Sequence, residues 1–258
     1  MALIYEKKDK IATITLNRPE ALNALDPETY DELTNAWIDV RDNPDVWVAI
    51  ITGAGDKAFC VGADLKTFIP TRATGLDLSQ IPAEDAVIAT LRDINLWKPV
   101  IAAVNGYCLA GGMELLQGTD IRIAAEHASF AVAEVRWGLF PGGGSTVRLP
   151  RQIPYCRAME ILLTGDRISA QEAYQIGLVN KVVPLPELMP TAMKYAERIC
   201  ENGPLAVRAV KESVLRGLNL QPAYAIERLL SLMVFMTEDA KEGPRAFMEK
   251  RKPSFQGK

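Results

Sequence analysis

An α/β fold is predicted by three observations. Two short runs rich in β-branched and small apolar residues, 46–52 and 100–104, each lead into a glycine-containing segment, as buried parallel strands do. Stretches with apolar residues at helical spacing separate and follow them. The chain has 258 residues, 48% hydrophobic and 24% charged, which suits one large folded domain with a small appendage and excludes disorder as its main state.

The elements follow in order. Ile4 and Tyr5 on one side and residues 11–16 on the other flank a charged segment, and Ala12, Ile14 and Leu16 alternate with threonines, which predicts a β-hairpin. Asp26-Pro27 has the form of an N-cap followed by a proline in the first helical position, and Tyr30, Leu33, Trp37 and Val40 then repeat at helical spacing. A helix is predicted over 27–41. After the strand at 100–104, Gly111-Gly112 precedes a stretch compatible with a helix. Ser169-Ala-Gln-Glu172 has the form of a capping box, and beyond it the chain reads as helical apart from a short strand near 179–183.

Val207, Val210, Val214 and Leu218 form one apolar stripe, and Ile226, Leu229, Leu230 and Met233 a second that is too broadly apolar for a solvated helix. These stripes divide the chain into a core over 1–203 and a helical region over 204–258 expected to pack on another subunit. The densest apolar stretch, 229–236, is interrupted only by Ser231 and falls far short of the ~20 residues of a membrane span.

Composition excludes several chemistries. A net charge of −3 offers no electrostatic footprint for nucleic acid or for an anionic membrane. The single histidine, His127, rules out multi-histidine metal sites and leaves one candidate for a histidine base, so no metal is expected. Cys60, Cys108, Cys156 and Cys200 lie 44 to 48 positions apart, with no pair spaced for zinc or redox work. Residues 1–10 fit neither a secretory nor a transit segment, and a cytoplasmic location is expected.

Candidate chemistry concentrates in a few segments. Gly53-Ala54-Gly55-Asp56-Lys57-Ala58 formally matches a dinucleotide-binding turn, but no clean helix opens at Gly55, so a nucleotide site is disfavoured. A helix starting near Gly111 would present free N–H groups to an anion or a developing oxyanion, with Glu114 one turn on. Taken alone, Glu114 is better explained by complementing the helix dipole; the second acid shifts the balance. The second acid, Glu134, ends an alternating segment in which Phe130 and Val132 share its face; it is either functional or paired with Arg136. Residues 141–146 lack the lysine of a phosphate loop, no Gly-x-Ser-x-Gly occurs, and this glycine run is given no catalytic role.

Four stretches in order resemble the crotonase superfamily, the enoyl-CoA hydratase and isomerase group. They are Leu16-Asn-Arg-Pro-Glu-Ala-Leu-Asn-Ala-Leu25, Lys57-Ala-Phe-Cys-Val-Gly-Ala63-Asp-Leu-Lys66, Ala103-Val-Asn-Gly-Tyr-Cys-Leu-Ala-Gly111-Gly-Met-Glu114 and Glu242-Gly-Pro-Arg-Ala-Phe-Met-Glu-Lys-Arg251. The resemblance implies a spiral of ββα units with a helical C-terminal region that builds trimers and often hexamers. It implies an oxyanion hole from the N–H groups of Ala63 and Gly111, and catalytic acids at Glu114 and Glu134. Lys57, Asp64, Leu65 and Lys66, with Phe247 and Lys250 of the tail, fall at positions similar to those that contact coenzyme A, the last two reaching a neighbouring subunit's ligand.

The expected partner is therefore an acyl-CoA thioester, with no cofactor beyond the coenzyme A of the substrate. Because both acids are kept, hydration of a 2-enoyl-CoA is expected. The alternatives are dehydration of a carnitinyl-CoA-like substrate, a 3,2-double-bond shift, or a non-catalytic scaffold binding CoA esters or RNA. Glu20, Leu109, Ala110, Met113 and Gln117 depart from the usual family pattern. Residues 67–86 stand where the family's acyl pocket varies most and show no strong helical period.

Overall fold

The computed structural model describes residues 1–64 and 88–257. The chain opens on the expected hairpin: β1 (Leu3–Lys8) and β2 (Ile11–Leu16) pair antiparallel across a turn in which Asp9 and Lys10 take positive φ. Helix α1 (Pro27–Asp42) begins as predicted, with the Asp26 carboxylate accepting the Thr29 N–H at 2.9 Å. Its inner face, Leu33, Trp37 and Val40, is fully buried.

Three strand pairs follow. They are β3 (Val48–Gly53) with β4 (Ala58–Cys60), β5 (Val100–Val104) with β6 (Tyr107–Leu109), and β7 (Ile121–Ala125) with β8 (Ser129–Ala131). The first strand of each pair enters a six-stranded sheet of order β1-β2-β3-β5-β7-β10, where β10 is Lys181–Val183. The second enters a four-stranded sheet of order β4-β6-β8-β9, where β9 is Ile168–Ser169. Pairing is parallel except for β1 with β2 and β8 with β9. With α2 (Gly111–Gln117) after the second pair, this alternation is the expected spiral of ββα units.

The large sheet is covered on both faces. Ala49 and Ile51 of β3 turn toward a core shared with Trp37, Phe59, Leu115 and Phe130, while Val48 and Ile50 turn toward Leu188, Ala192 and Ala196 of α6 (Leu185–Cys200). Two-sided burial is the reason these strands read as unbroken apolar runs.

Between the two sheets' ends the chain adds α3 (Ser145–Gln152), α4 (Tyr155–Thr164) and α5 (Ala170–Gln175), the last opened by a complete capping box from Ser169 and Glu172. Beyond residue 203 come α7 (Pro204–Gly217), α8 (Gln221–Phe235) and α9 (Glu238–Met248). Val210 and Val214 of α7 and Ile226, Leu229 and Met233 of α8 are more than half exposed in the single chain.

Two expectations need correction. The alternating segment that would end in Glu134 is a strand only to Ala131, because its neighbour β6 ends at Leu109 and leaves no edge to pair with. Glu134 instead opens a 3-10 turn, Glu134–Trp137. The strand expected near 179–183 starts only at Lys181. All four cysteines are free thiols, and no helix among the described residues is long and apolar enough to cross a membrane.

Candidate active site

The turn after β4 and the start of α2 meet backbone to backbone. Gly62 takes φ of +89°, and a Cβ there would stand 2.7 Å from the Gly111 nitrogen, so only glycine lets the two segments approach. A Cβ on Gly111 would in turn stand 3.6 Å from the Ala63 nitrogen. Leu25 bonds the Gly62 carbonyl and the Asp64 N–H, each at 2.8 Å, which turns the Ala63 N–H the other way. Neither the Ala63 nor the Gly111 N–H has a protein acceptor among the described residues. Ala110, between β6 and α2, is held at φ 49°, ψ −122° while its N–H bonds the Ala131 carbonyl at 2.9 Å. Backbone this unfavourable persists only where its surroundings impose it.

Glu114 lies one turn into α2, with 7% of its surface exposed. Its Oε1 accepts the Gly143 N–H at 2.6 Å. A Cβ on Gly143 would fall 2.3 Å from Glu114 Oε2, so the glycine run given no role in the sequence supplies a residue that the acid requires. From α3, Arg148 donates to the carbonyls of Glu114 (3.2 Å) and Thr90 (3.0 Å) and to the Tyr224 hydroxyl (2.8 Å).

Glu134 is half-buried, and its Oε2 is shut off from solvent with no hydrogen-bond partner among the described residues. The alternative that Arg136 neutralises it is overturned: Arg136 reaches Asp166 at 3.4 Å on the surface. The turn that carries Glu134 is buttressed by α9, where Phe247 packs edge-on against Trp137 with ring centroids 4.9 Å apart.

Burial pushes the Glu134 carboxyl up to about 7. Burial, then the charges of Glu134 and Glu227, push Glu114 well above the usual carboxylate range, against the opposing pull of the Gly143 N–H and Arg148. Two buried carboxyls that feel each other's charge resist ionising together. The Gly143 N–H favours charge on Glu114, and a backbone N–H at Glu134 itself pulls the same way on Glu134, more weakly than burial opposes it.

Residues 6–258 match the family described as enoyl-CoA hydratase/isomerase. The chain belongs to that family. The enoyl-CoA hydratase EchA19 of Mycobacterium tuberculosis is 45% identical over 99% of this chain and 96% of its own. The (E)-benzylidenesuccinyl-CoA hydratase of Thauera aromatica is 42% identical over the full length of both. Among solved structures, a carnitinyl-CoA hydratase from Mycobacterium avium superposes with a TM-score of 0.90 at 38% identity, covering 100% of this chain and 99% of the other. These matches bear out the expected crotonase superfamily and an enzyme of the hydro-lyase class.

Other predicted residues of this family member are placed as follows. Lys57 is exposed in the turn from β3 to β4, and that turn leads into a strand, so the dinucleotide pattern has no helix behind it. Asp64 bonds Arg18 at 3.0 Å; Arg18 also holds Asp26 at 3.3 Å and the Ala24 carbonyl at 2.7 Å, which pins the chain beside Ala63. Leu65, Lys66 and the segment 67–86 lie outside the described residues. Phe247 packs on its own chain's Trp137, and Lys250 is exposed at φ 54°. His127 is exposed and bonds the Asp56 carbonyl at 2.8 Å, which gives it no part in the acid pair. Among the described residues no cluster of three or more His, Cys, Asp or Glu could hold a metal ion. Sequence reasoning missed Gly143, Arg92, Arg148, Tyr224 and Glu227; only the glycine run at 142–144 carried any local signal.

Proposed function

We propose that this chain adds water reversibly to a 2-enoyl-CoA to give a 3-hydroxyacyl-CoA, with Glu114 and Glu134 as the proton-handling pair and the N–H groups of Ala63 and Gly111 as the oxyanion hole. The observation that carries this reading is geometric: Glu114 is buried one helical turn past Gly111, whose N–H and that of Ala63 lie side by side without acceptors among the described residues, and the charge of a second buried acid, Glu134, raises its pKa further.

The thioester carbonyl accepts both N–H groups. Glu114, ionised and held by Gly143, takes a proton from water as the water oxygen bonds the β-carbon. The double-bond electrons move toward the carbonyl oxygen, whose growing charge the two donors stabilise; losing one such donor typically costs ~3 kcal/mol. Glu134, protonated, then gives its proton to the α-carbon. The pair ends with the proton on Glu114 and the charge on Glu134, and proton exchange through solvent resets it.

Lys57, Asp64, Leu65 and Lys66 flank the Ala63 turn and are assigned to the pantetheine and phosphate end of the substrate. Phe247 and Lys250 are assigned to the adenine and 3′-phosphate across a subunit boundary. Residues 1–203 form the catalytic spiral, and residues 204–258 cover the site and join subunits into a trimer or a dimer of trimers in the cytoplasm. No metal or redox cofactor is assigned, and activity is expected to survive chelators.

The decisive experiment is a panel of 2-enoyl-CoA esters of increasing length, followed by loss of the conjugated thioester absorbance in heavy-oxygen water. Label in the product supports hydration; double-bond movement without label supports isomerisation. Inactivity across the panel supports the scaffold reading. A carnitinyl-CoA arm belongs in the panel because of the 0.90 TM-score to a carnitinyl-CoA hydratase.

A further inference from the structure

Glu227 takes no part in the steps above, yet at 2% exposure it is more deeply buried than Glu114. It projects inward from α8, more than 110 residues along the chain from Glu114. Its Oε1 accepts the Thr146 hydroxyl, and its Oε2 lies 3.3 Å from Arg92 Nη1, with both side chains almost wholly buried.

Both terminal nitrogens of Arg92 also donate to backbone, while its Nε is buried without a partner among the described residues. Nη2 donates to the Tyr224 carbonyl at 3.1 Å, its guanidinium lies 4.8 Å from the centre of the Tyr224 ring, and Nη1 donates to the Gly142 carbonyl. That last contact matters most. The Gly142 carbonyl and the Gly143 N–H belong to one planar peptide, so fixing the oxygen fixes the direction of the N–H. This N–H is the one that grips Glu114 Oε1 at 2.6 Å. A cation on the oxygen also polarises the peptide and strengthens the donor at its other end.

We propose that Glu227 is a positioning residue for the hydration reaction: through Arg92 it locks the peptide between Gly142 and Gly143, and thereby holds the Glu114 carboxylate in line with the attacking water. This inference rests on the assignment of Glu114 as the water-activating base. A buried ion pair is a poor means of gaining stability alone, since apolar replacements of similar volume often do as well. This pair, however, ends on the one peptide that orients the base.

The test is steady-state kinetics on the full chain with a four-carbon 2-enoyl-CoA, alongside thermal melts. Glu227→Gln is expected to lower kcat about 10- to 100-fold, as small misplacements of catalytic groups do, with KM moving less than about threefold. In a Glu114→Gln background the same change is expected to lower the residual kcat no further. Should Glu227→Gln fail to fold, Arg92→Met combined with Glu227→Met removes both buried charges and is expected to show the same loss of kcat.

Wild-type kcat in whichever of these variants folds would overturn the proposal, as would a loss confined to KM or a loss that multiplies with Glu114→Gln. A fully active Glu114→Gln variant would instead overturn the assignment of the base itself.

Discussion

In the proposed mechanism Glu114 and Glu134 divide the proton work, and each can be tested singly. Replacing either with Gln removes one proton-transfer group and should lower kcat by about 10²- to 10⁴-fold, with CoA-ester affinity changed only a few-fold. Single-turnover rates and equilibrium binding separate the two effects, and unchanged turnover would remove that acid from the mechanism. The pH profile of the proposed reaction follows from the burial of Glu134. Hydration needs Glu134 protonated, so kcat should fall as pH rises through about 7, the value to which burial lifts this carboxyl. Stability follows the same sign. The folded state binds this proton more tightly than the unfolded chain, so the burial penalty is absent below the ordinary glutamate value and grows as pH rises toward 7. Glu134→Gln should therefore raise the stability, and with it the melting temperature, at pH 8 relative to wild type and leave both unchanged near pH 4, as thermal melts at the two pH values would read.

The turn before α3 holds the Glu114 carboxylate at the next scale up. Gly143→Ala would place a methyl group 2.3 Å from Glu114 Oε2, forcing the carboxylate or the turn aside. The expected result is a loss of kcat comparable to Glu114→Gln with KM little altered, read by steady-state kinetics; a fully active variant would show that the Gly143 N–H is dispensable. Elements with local causes were legible from sequence. Asp26-Pro27 opens α1 as expected, Ser169 and Glu172 form their capping box, and Gly111 begins α2, because each depends on residues within one turn. Glu134 was singled out for an incomplete reason: its strand stops at Ala131 because β6 ends, a fact carried by a partner more than twenty residues away. Gly143, Arg92 and Glu227 were invisible singly, since their meaning arises only where the turn before α3 meets Glu114 of α2 and Arg92, and Arg92 in turn meets Glu227 of α8.

At the scale of the whole molecule, α8 has two working faces. Tyr224 and Glu227, one turn apart, enter the polar cluster behind Glu114, while Ile226, Leu229 and Met233 face outward without cover in the single chain. Fully burying side chains of this size is worth about 1.5–3 kcal/mol each, so a stripe of them left in water strongly favours association. Sedimentation at micromolar concentration should therefore give three or six chain masses, and a purely monomeric wild-type protein would overturn the assembly. Leu229→Glu combined with Met233→Glu buries two unpaired charges at that contact and should yield monomers. Because the same helix carries Glu227, releasing its outer face should also loosen Arg92 and the peptide before Gly143. The dissociated variant is thus expected to lose kcat as well as mass, recovering both together under strongly excluded osmolytes that favour burial. Monomers with wild-type kcat would show that α8 holds the site without help from a neighbour.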